Sequence, residues 1–223
     1  MTKDKFLADI DLFIKKTEAH CCHKNAISCN NVFENADLYA IEKDLLDKIL
    51  AGNFSNSKEQ GDSLENLVKL LFGKIQLVHS IEVTNKDITL GQIDIQLVPI
   101  DDALFEVWGL HTQRPEGIIG ECKNYSKKKE PIGRPEIEKI CWRTCKGGCL
   151  SFFIAYGYTE DAINEISYFN SNKKSLCYKH QGALIVPLTL SMLELVIQNK
   201  INFCYFIKWA ISTSRMMNIA NYL

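Results

Sequence analysis

The sequence predicts a mixed α/β fold, one β-sheet covered by helices on both faces, with a helical extension in front of it. Three observations carry this. The periodicities run helix, three strands, helix, strand, helix, strand, helix after the first fifty residues. The run CLSFFIAYG, 149–157, is almost wholly apolar, as a strand buried on both faces must be. With 46% hydrophobic and 24% charged residues over 223 positions, the chain can fill one large core, and disordered or collagen-like classes are excluded.

Taken in order, Phe6, Ile10, Phe13 and Ile14, then Leu38, Ile41, Leu45, Leu46 and Ile49, recur at spacings of three and four, implying two helices around a Cys/Asn-rich loop. That loop holds HCCHKNAISC, with His20, Cys21, Cys22, His23 and Cys29. Zinc would need well-spaced pairs, and adjacent cysteines chelate one ion poorly, so these read as buried or idle thiols. NFSNSKEQGDS is a polar linker before a helix at about 62–73, whose apolar face is Leu64, Leu67, Val68, Leu71 and Phe72 with Glu65 beside it.

Two alternating runs, IQLVHSIEVT and ITLGQIDIQLVPI, are separated by the hairpin-type break NKD. In the second, Ile93, Ile95 and Leu97 share one face while Asp94 and Gln96 share the other. GIIGECKNY is a third strand, and EIEKICWRTCK is a helix closed by Gly147-Gly148. After the buried strand, YTEDAINEISYF starts a helix at Thr159, GALIVPLT is a short strand and LSMLELVIQN a helix. INFCYFIKWAIS is twelve residues interrupted by Lys208, short of the ~20 that a membrane span requires, and reads as a buried terminal element. The expected organisation is a helical extension over 1–56, a main domain over 57–200 and a terminal segment over 201–223 packed on the core.

A formal net charge of -1 provides no global basic field for nucleic acid, so any polyanion site must be local. Nine cysteines, an odd number without regular spacing, and no apolar signal core point to free thiols in a reducing cytoplasm. Cys141, Cys145 and Cys149 read as small packing residues. No Gly-rich phosphate loop, nucleophile elbow or HExxH run occurs.

The polar residues left unexplained are Glu65, Asp94, Glu121 and Lys123. Residues i and i+2 of a strand project from one face, so Glu121 and Lys123 are neighbours, and pairing of their strand with that of Asp94 would bring two carboxylates within about 5 Å. Such a pair is costly unless a cation or a proton lies between them. Oxygen ligands without histidine favour Mg²⁺ or Mn²⁺, and a lysine beside the ion can orient a water and offset developing charge.

The pattern of Asp94 followed by Glu121-Cys122-Lys123 resembles the PD-(D/E)XK nuclease superfamily, in its Mrr-like restriction endonuclease branch. GDSLENLVKLLF, GQIDIQL, GECKNYSKKKEPIG and FFIAYGYTEDA extend the resemblance over about residues 60–170. It implies a restriction-endonuclease-like sheet and a DNA endonuclease that hydrolyses phosphodiesters with metal-activated water. Asp94, Glu121 and the backbone carbonyl of Cys122 would hold Mg²⁺ or Mn²⁺, Lys123 would assist the nucleophile, and Glu65 would hold a second ion or a metal-bound water. A role in restriction or antiviral defence and a homodimer cutting double-stranded DNA follow from the same resemblance. The chain departs from the family in having GQID where a proline precedes the aspartate, and Glu136, Glu138 and Lys139 where branch members tend to carry a glutamine.

Charge adds to the reading. Between 126 and 146, seven basic residues, Lys127, Lys128, Lys129, Arg134, Lys139, Arg143 and Lys146, face three acidic ones, a local excess of +4. Lys127, Lys128, Lys129, Arg134 and Arg143 are therefore candidate DNA contacts, and Tyr125 and Trp142 candidate contacts to bases or sugars. The competing functions are a junction resolvase or RNA nuclease of the same fold, and a nucleic-acid-binding module without catalysis. A partner subunit supplying DNA affinity is compatible with the near-neutral net charge.

Overall fold

A computed structural model describes residues 2–24, 26–34, 39–83, 87–88, 91–100, 102–110, 114–125, 130–147, 149–176, 183–216 and 218–223. Lys127, Lys128, Lys129, Leu38 and Gly148 lie outside the described residues.

The first helix, α1 (Lys3–Lys24), carries His20, Cys21 and Cys22 in its last turns, where a loop is expected from the sequence. Its 22 residues contain no glycine or proline, so nothing in the chain stops the helix earlier. A 3-10 turn at Cys29–Val32 follows, capped by Ser28, and α2 (Ala40–Ala51) ends on Gly52. Gly52 takes the left-handed φ of 67° and donates to the Ile49 carbonyl, a conformation that glycine adopts without a Cβ penalty.

Helix α3 (Ser57–Gly73) begins several residues before the expected start near 62. Asn56 accepts the Glu59 amide at 2.8 Å while Glu59 accepts the Ser55 amide at 2.9 Å, so the polar stretch read as linker is a helix cap. The signal was present in the sequence as Asn56-x-x-Glu59.

The run 88–100 is broken into three strands. After β1 (Val78–Val83), β2 (Asp87–Ile88) and β3 (Gly91–Gln92) form a separate two-stranded ribbon, and β4 (Ile95–Pro99) follows a bend at Asp94. A short α4 (Ala103–Val107) fills the stretch for which no element is expected. Then come β5 (Gly117–Lys123), α5 (Arg134–Gly147), β6 (Cys149–Ala155), α6 (Glu160–Leu176), β7 (Leu184–Thr189), α7 (Leu190–Gln198) and α8 (Phe203–Arg215).

One five-stranded sheet has the order β1-β4-β5-β6-β7. The β1–β4 and β4–β5 pairs are antiparallel, and β5–β6 and β6–β7 parallel, so the sheet is mixed. Pro187 is accommodated in β7, the edge strand, where one side of the ladder needs no donor.

Strand alternation divides the core. Ile118 and Cys122 of β5, Ile95 and Leu97 of β4 and Phe152 of β6 belong to a cluster with Leu64, Leu71 and Phe72 of α3, Phe206 of α8 and Phe6 of α1. Ile119 and Phe153 belong to a second cluster, with Ile137 and Ile140 of α5 and Ile166 of α6. The sheet is thus covered by helices on both faces, and the N-terminal helices and α8 share its larger core.

Ten residues of α8 are buried, and no helix among the described residues is long and apolar enough to cross a membrane. Cys145 is disulfide-bonded, which corrects the expectation of free thiols at that position; Cys21, Cys22, Cys29, Cys122, Cys141, Cys149 and Cys204 are free.

Candidate active site

In the β4–β5 register Ile95 faces Gly120 at the last step of the ladder, and Asp94, just before it, lies beside the Glu121–Cys122 segment of β5. A Cβ on Gly120 would lie 3.3 Å from the Ile95 Cβ, tighter than the strands tolerate without shifting, and glycine permits this approach. Asp94 sits at the bend before β4, and its Oδ2 accepts the Cys122 amide at 2.8 Å. That bond holds its carboxylate against β5 where the regular ladder has stopped.

Glu121 and Lys123 project from the β5 face that α5 covers, with Ile119. Lys123 Nζ lies 2.6 Å from Glu121 Oε1 and 4.0 Å from Asp94 Oδ2. Arg143 of α5 donates from Nη1 to Glu121 Oε2 at 3.0 Å. Its neighbour Thr144 is hydrogen-bonded, hydroxyl to hydroxyl, to Ser151 of β6 at 2.6 Å in the core, fixing how α5 crosses the sheet.

These groups line a cavity of about 250 Å³, with Tyr125 from β5's end and Glu136, Lys139 and Ile140 from α5. Glu136, Lys139, Ile140 and Arg143 recur at helical spacing, so one face of α5 makes the wall. That spacing was legible in the sequence; what it faced was not.

Glu65 approaches from α3. Burial, then the negative charges of Asp94 and Asp62, push its carboxyl up to about 6. Glu121 is raised too, by burial and by Asp94. Burial works to lower Lys123, but the carboxylates of Glu121 and Asp94 outweigh it, and its ammonium is held above the ordinary value. Four carboxylates, Glu65, Asp94, Glu121 and Glu136, stand against three cations, Lys123, Lys139 and Arg143, leaving one negative charge in excess, and both Glu65 and Lys123 are pushed toward keeping their protons.

The α3–β5 junction is locked by a reciprocal pair. Gln60 donates its side-chain amide to the Asn124 carbonyl, and Asn124 donates its own to the Gln60 carbonyl. The two bonds sit one turn from Glu65 and next to Lys123, so they set the distance between α3 and the site.

The donor set suits a hard divalent cation: carboxylates and a main-chain oxygen, with no imidazole. Burial and the flanking carboxylates push the Cys122 thiol well above its ordinary value, so it stays a neutral packing group. Its amide points at Asp94, and in an extended residue the carbonyl leaves the same edge of the strand. Asp94 keeps Oδ1 without a hydrogen-bond partner among the described residues. Against this, both oxygens of Glu121 are engaged by cations, and among the described residues no group of three His, Cys, Asp or Glu side chains stands together as a ready ligand set. A metal here would rest on Asp94, Glu121 and the Cys122 carbonyl, with Glu65 behind them.

The other expected DNA contacts are dispersed. Arg134 at the start of α5 is paired with Glu138 at 2.8 Å and Glu165 at 3.2 Å. Trp142 is exposed on α5, with Lys146 Nζ 4.6 Å from its ring centre.

Comparison with known proteins finds no matching family model, curated protein or solved structure.

Proposed function

We propose that this chain is a Mg²⁺- or Mn²⁺-dependent DNA endonuclease on a restriction-endonuclease-like, PD-(D/E)XK fold. The observation that carries the reading is the convergence of Asp94, Glu121 and Lys123 in one polar cavity, from sequence positions that only β4–β5 pairing brings together. The order α3, antiparallel strands, α5, parallel β6 agrees with the resemblance.

Asp94, anchored by the Cys122 amide, and Glu121 would hold the ion. When bound, it would supply Lewis-acid charge to a phosphate oxygen and acidify a water. Lys123, kept protonated by Glu121, offsets negative charge that develops on the phosphate and orients the attacking water from its ammonium. Lys139 and Arg143 extend the positive wall toward the phosphate backbone, and half-exposed Tyr125 offers a ring at the mouth. Cleavage of both strands of a duplex calls for two copies, and a role in restriction or antiviral defence goes with this reading.

The Arg143–Glu121 pair favours one alternative, a nucleic-acid-binding module without catalysis, because it provides Glu121 with the countercharge that a metal would bring. Cleavage of supercoiled plasmid with Mg²⁺, Mn²⁺ or EDTA, beside Lys123→Ala, separates the two. Metal-dependent nicking lost in the variant supports the nuclease. DNA binding with no cleavage in either metal supports the module.

A further inference from the structure

On the opposite face of the sheet, α1 and α8 border a second, open cavity of about 450 Å³, within the range of small-ligand sites. Phe13, Lys16 and His20 of α1 and Lys208, Ile211 and Arg215 of α8 line it, each set one stripe at helical spacing. Trp108 and Gly109 close its end. No Asp or Glu is among the described lining residues, which include three cations around an apolar floor.

Two buried donors at this cavity lack acceptors among the described residues. Trp108 is 2% exposed, its ring held edge-on by Phe72 and Phe152, and its Nε1–H has no hydrogen-bond partner among the described residues. Arg215 donates from Nη1 to the Gly109 carbonyl at 2.9 Å, but its buried Nε–H has no partner among the described residues. Indole and guanidinium nitrogens can only donate, so what satisfies them must accept. Burial also holds the Arg215 guanidinium below its ordinary pKa, as expected of a cation removed from water with no anion beside it. Leaving such donors buried is costly unless a partner arrives.

We infer that the α1–α8 cavity is a binding site for a small anionic amphiphile, a molecule with one carboxylate or phosphate group on an apolar body. The head group would sit among Lys16, Lys208 and Arg215 and toward the Trp108 indole N–H, and the body against Phe13 and Met216. The site shares no lining residue with the Asp94–Glu121 cavity and does not depend on the nuclease reading.

Titration calorimetry on the full chain with four probes tests this: octanoate, octyl phosphate, octanol and acetate. Octanoate or octyl phosphate binding at least tenfold more tightly than octanol and acetate is the expected result, and the stronger of the two identifies the head group. Lys208→Glu and Lys16→Glu, at a half-buried and an exposed position and checked for folding by circular dichroism, should each weaken that binding at least tenfold. Absence of binding by both anions, octanol equal to octanoate, or folded charge-reversal variants with unchanged affinity would overturn the assignment.

Discussion

Arg143, in the third turn of α5, donates to Glu121 on β5 at 3.0 Å and so competes for the carboxylate that a metal would use. Arg143→Gln should therefore lower the Mn²⁺ concentration needed for half-maximal binding, read by calorimetry, several-fold. It should also cost about 1–2 kcal/mol in urea unfolding, less than a fully buried pair because Arg143 is partly solvated. Weaker Mn²⁺ binding in a folded Arg143→Gln protein would mean that Arg143 organises the site rather than closes it.

Lys123 lies 2.6 Å from Glu121 and 4.0 Å from Asp94, the only ammonium of the described residues placed on both. Lys123→Ala is expected to reduce plasmid cleavage by about 10²-fold or more while DNA affinity changes little. Retention of wild-type cleavage would remove Lys123 from the mechanism.

Glu65 has a folded-state pKa of about 6 against an ordinary 4.5, so the folded state holds more protons than the unfolded one between those values. Stability is then fully present below about pH 4.5 and falls as pH rises through 6. Glu121, also raised, adds to the same slope. Glu65→Gln should flatten the decline and stabilise the protein at pH 7.5 by about 1 kcal/mol, a figure reduced for the solvent screening at a half-buried site. Chemical denaturation at pH 4.5, 6 and 7.5 measures this, and a slope identical to wild type would show that Glu65 is solvated like a surface carboxylate.

The Gln60–Asn124 interlock spaces α3 from β5. Asn124→Ala removes the side-chain bond to the Gln60 carbonyl, which keeps its intrahelical amide, an expected cost of about 0.5–1.5 kcal/mol. Because Lys123 is adjacent, cleavage should fall with it. A variant as stable as wild type in urea would show that the two elements are held elsewhere.

Lys139 lines the cavity, whereas Arg134 is engaged by Glu138 and Glu165. Lys139→Ala should reduce the slope of log DNA affinity against log salt by about 0.9, and Arg134→Ala by much less. Equal reductions would place Arg134 on the phosphate backbone as well.

Local rules were sufficient for much of the fold and for the content of the site. Alternation along 117–123 assigns Ile118 and Cys122 to one face and Ile119, Glu121 and Lys123 to the other before any neighbour is known, because side-chain direction in a strand depends only on the strand. The almost wholly apolar 149–155 identified the sheet's interior by the same logic, as did the apolar face of α3. Contacts between distant positions were decided by tertiary structure alone. Asp94 reads as a strand residue, yet it sits at a bend and is fixed by the Cys122 amide. Arg143 reads as one of a run of basic residues, yet α5, seated by Ile137 and Ile140 and tied to β6 by the Thr144–Ser151 bond, turns it to meet Glu121. Composition and periodicity determine which residues face a core, since burial of apolar surface is a one-dimensional preference along each element. Which cation meets which carboxylate depends on how two elements cross, and residues 22 positions apart acquire that relationship only when the chain packs.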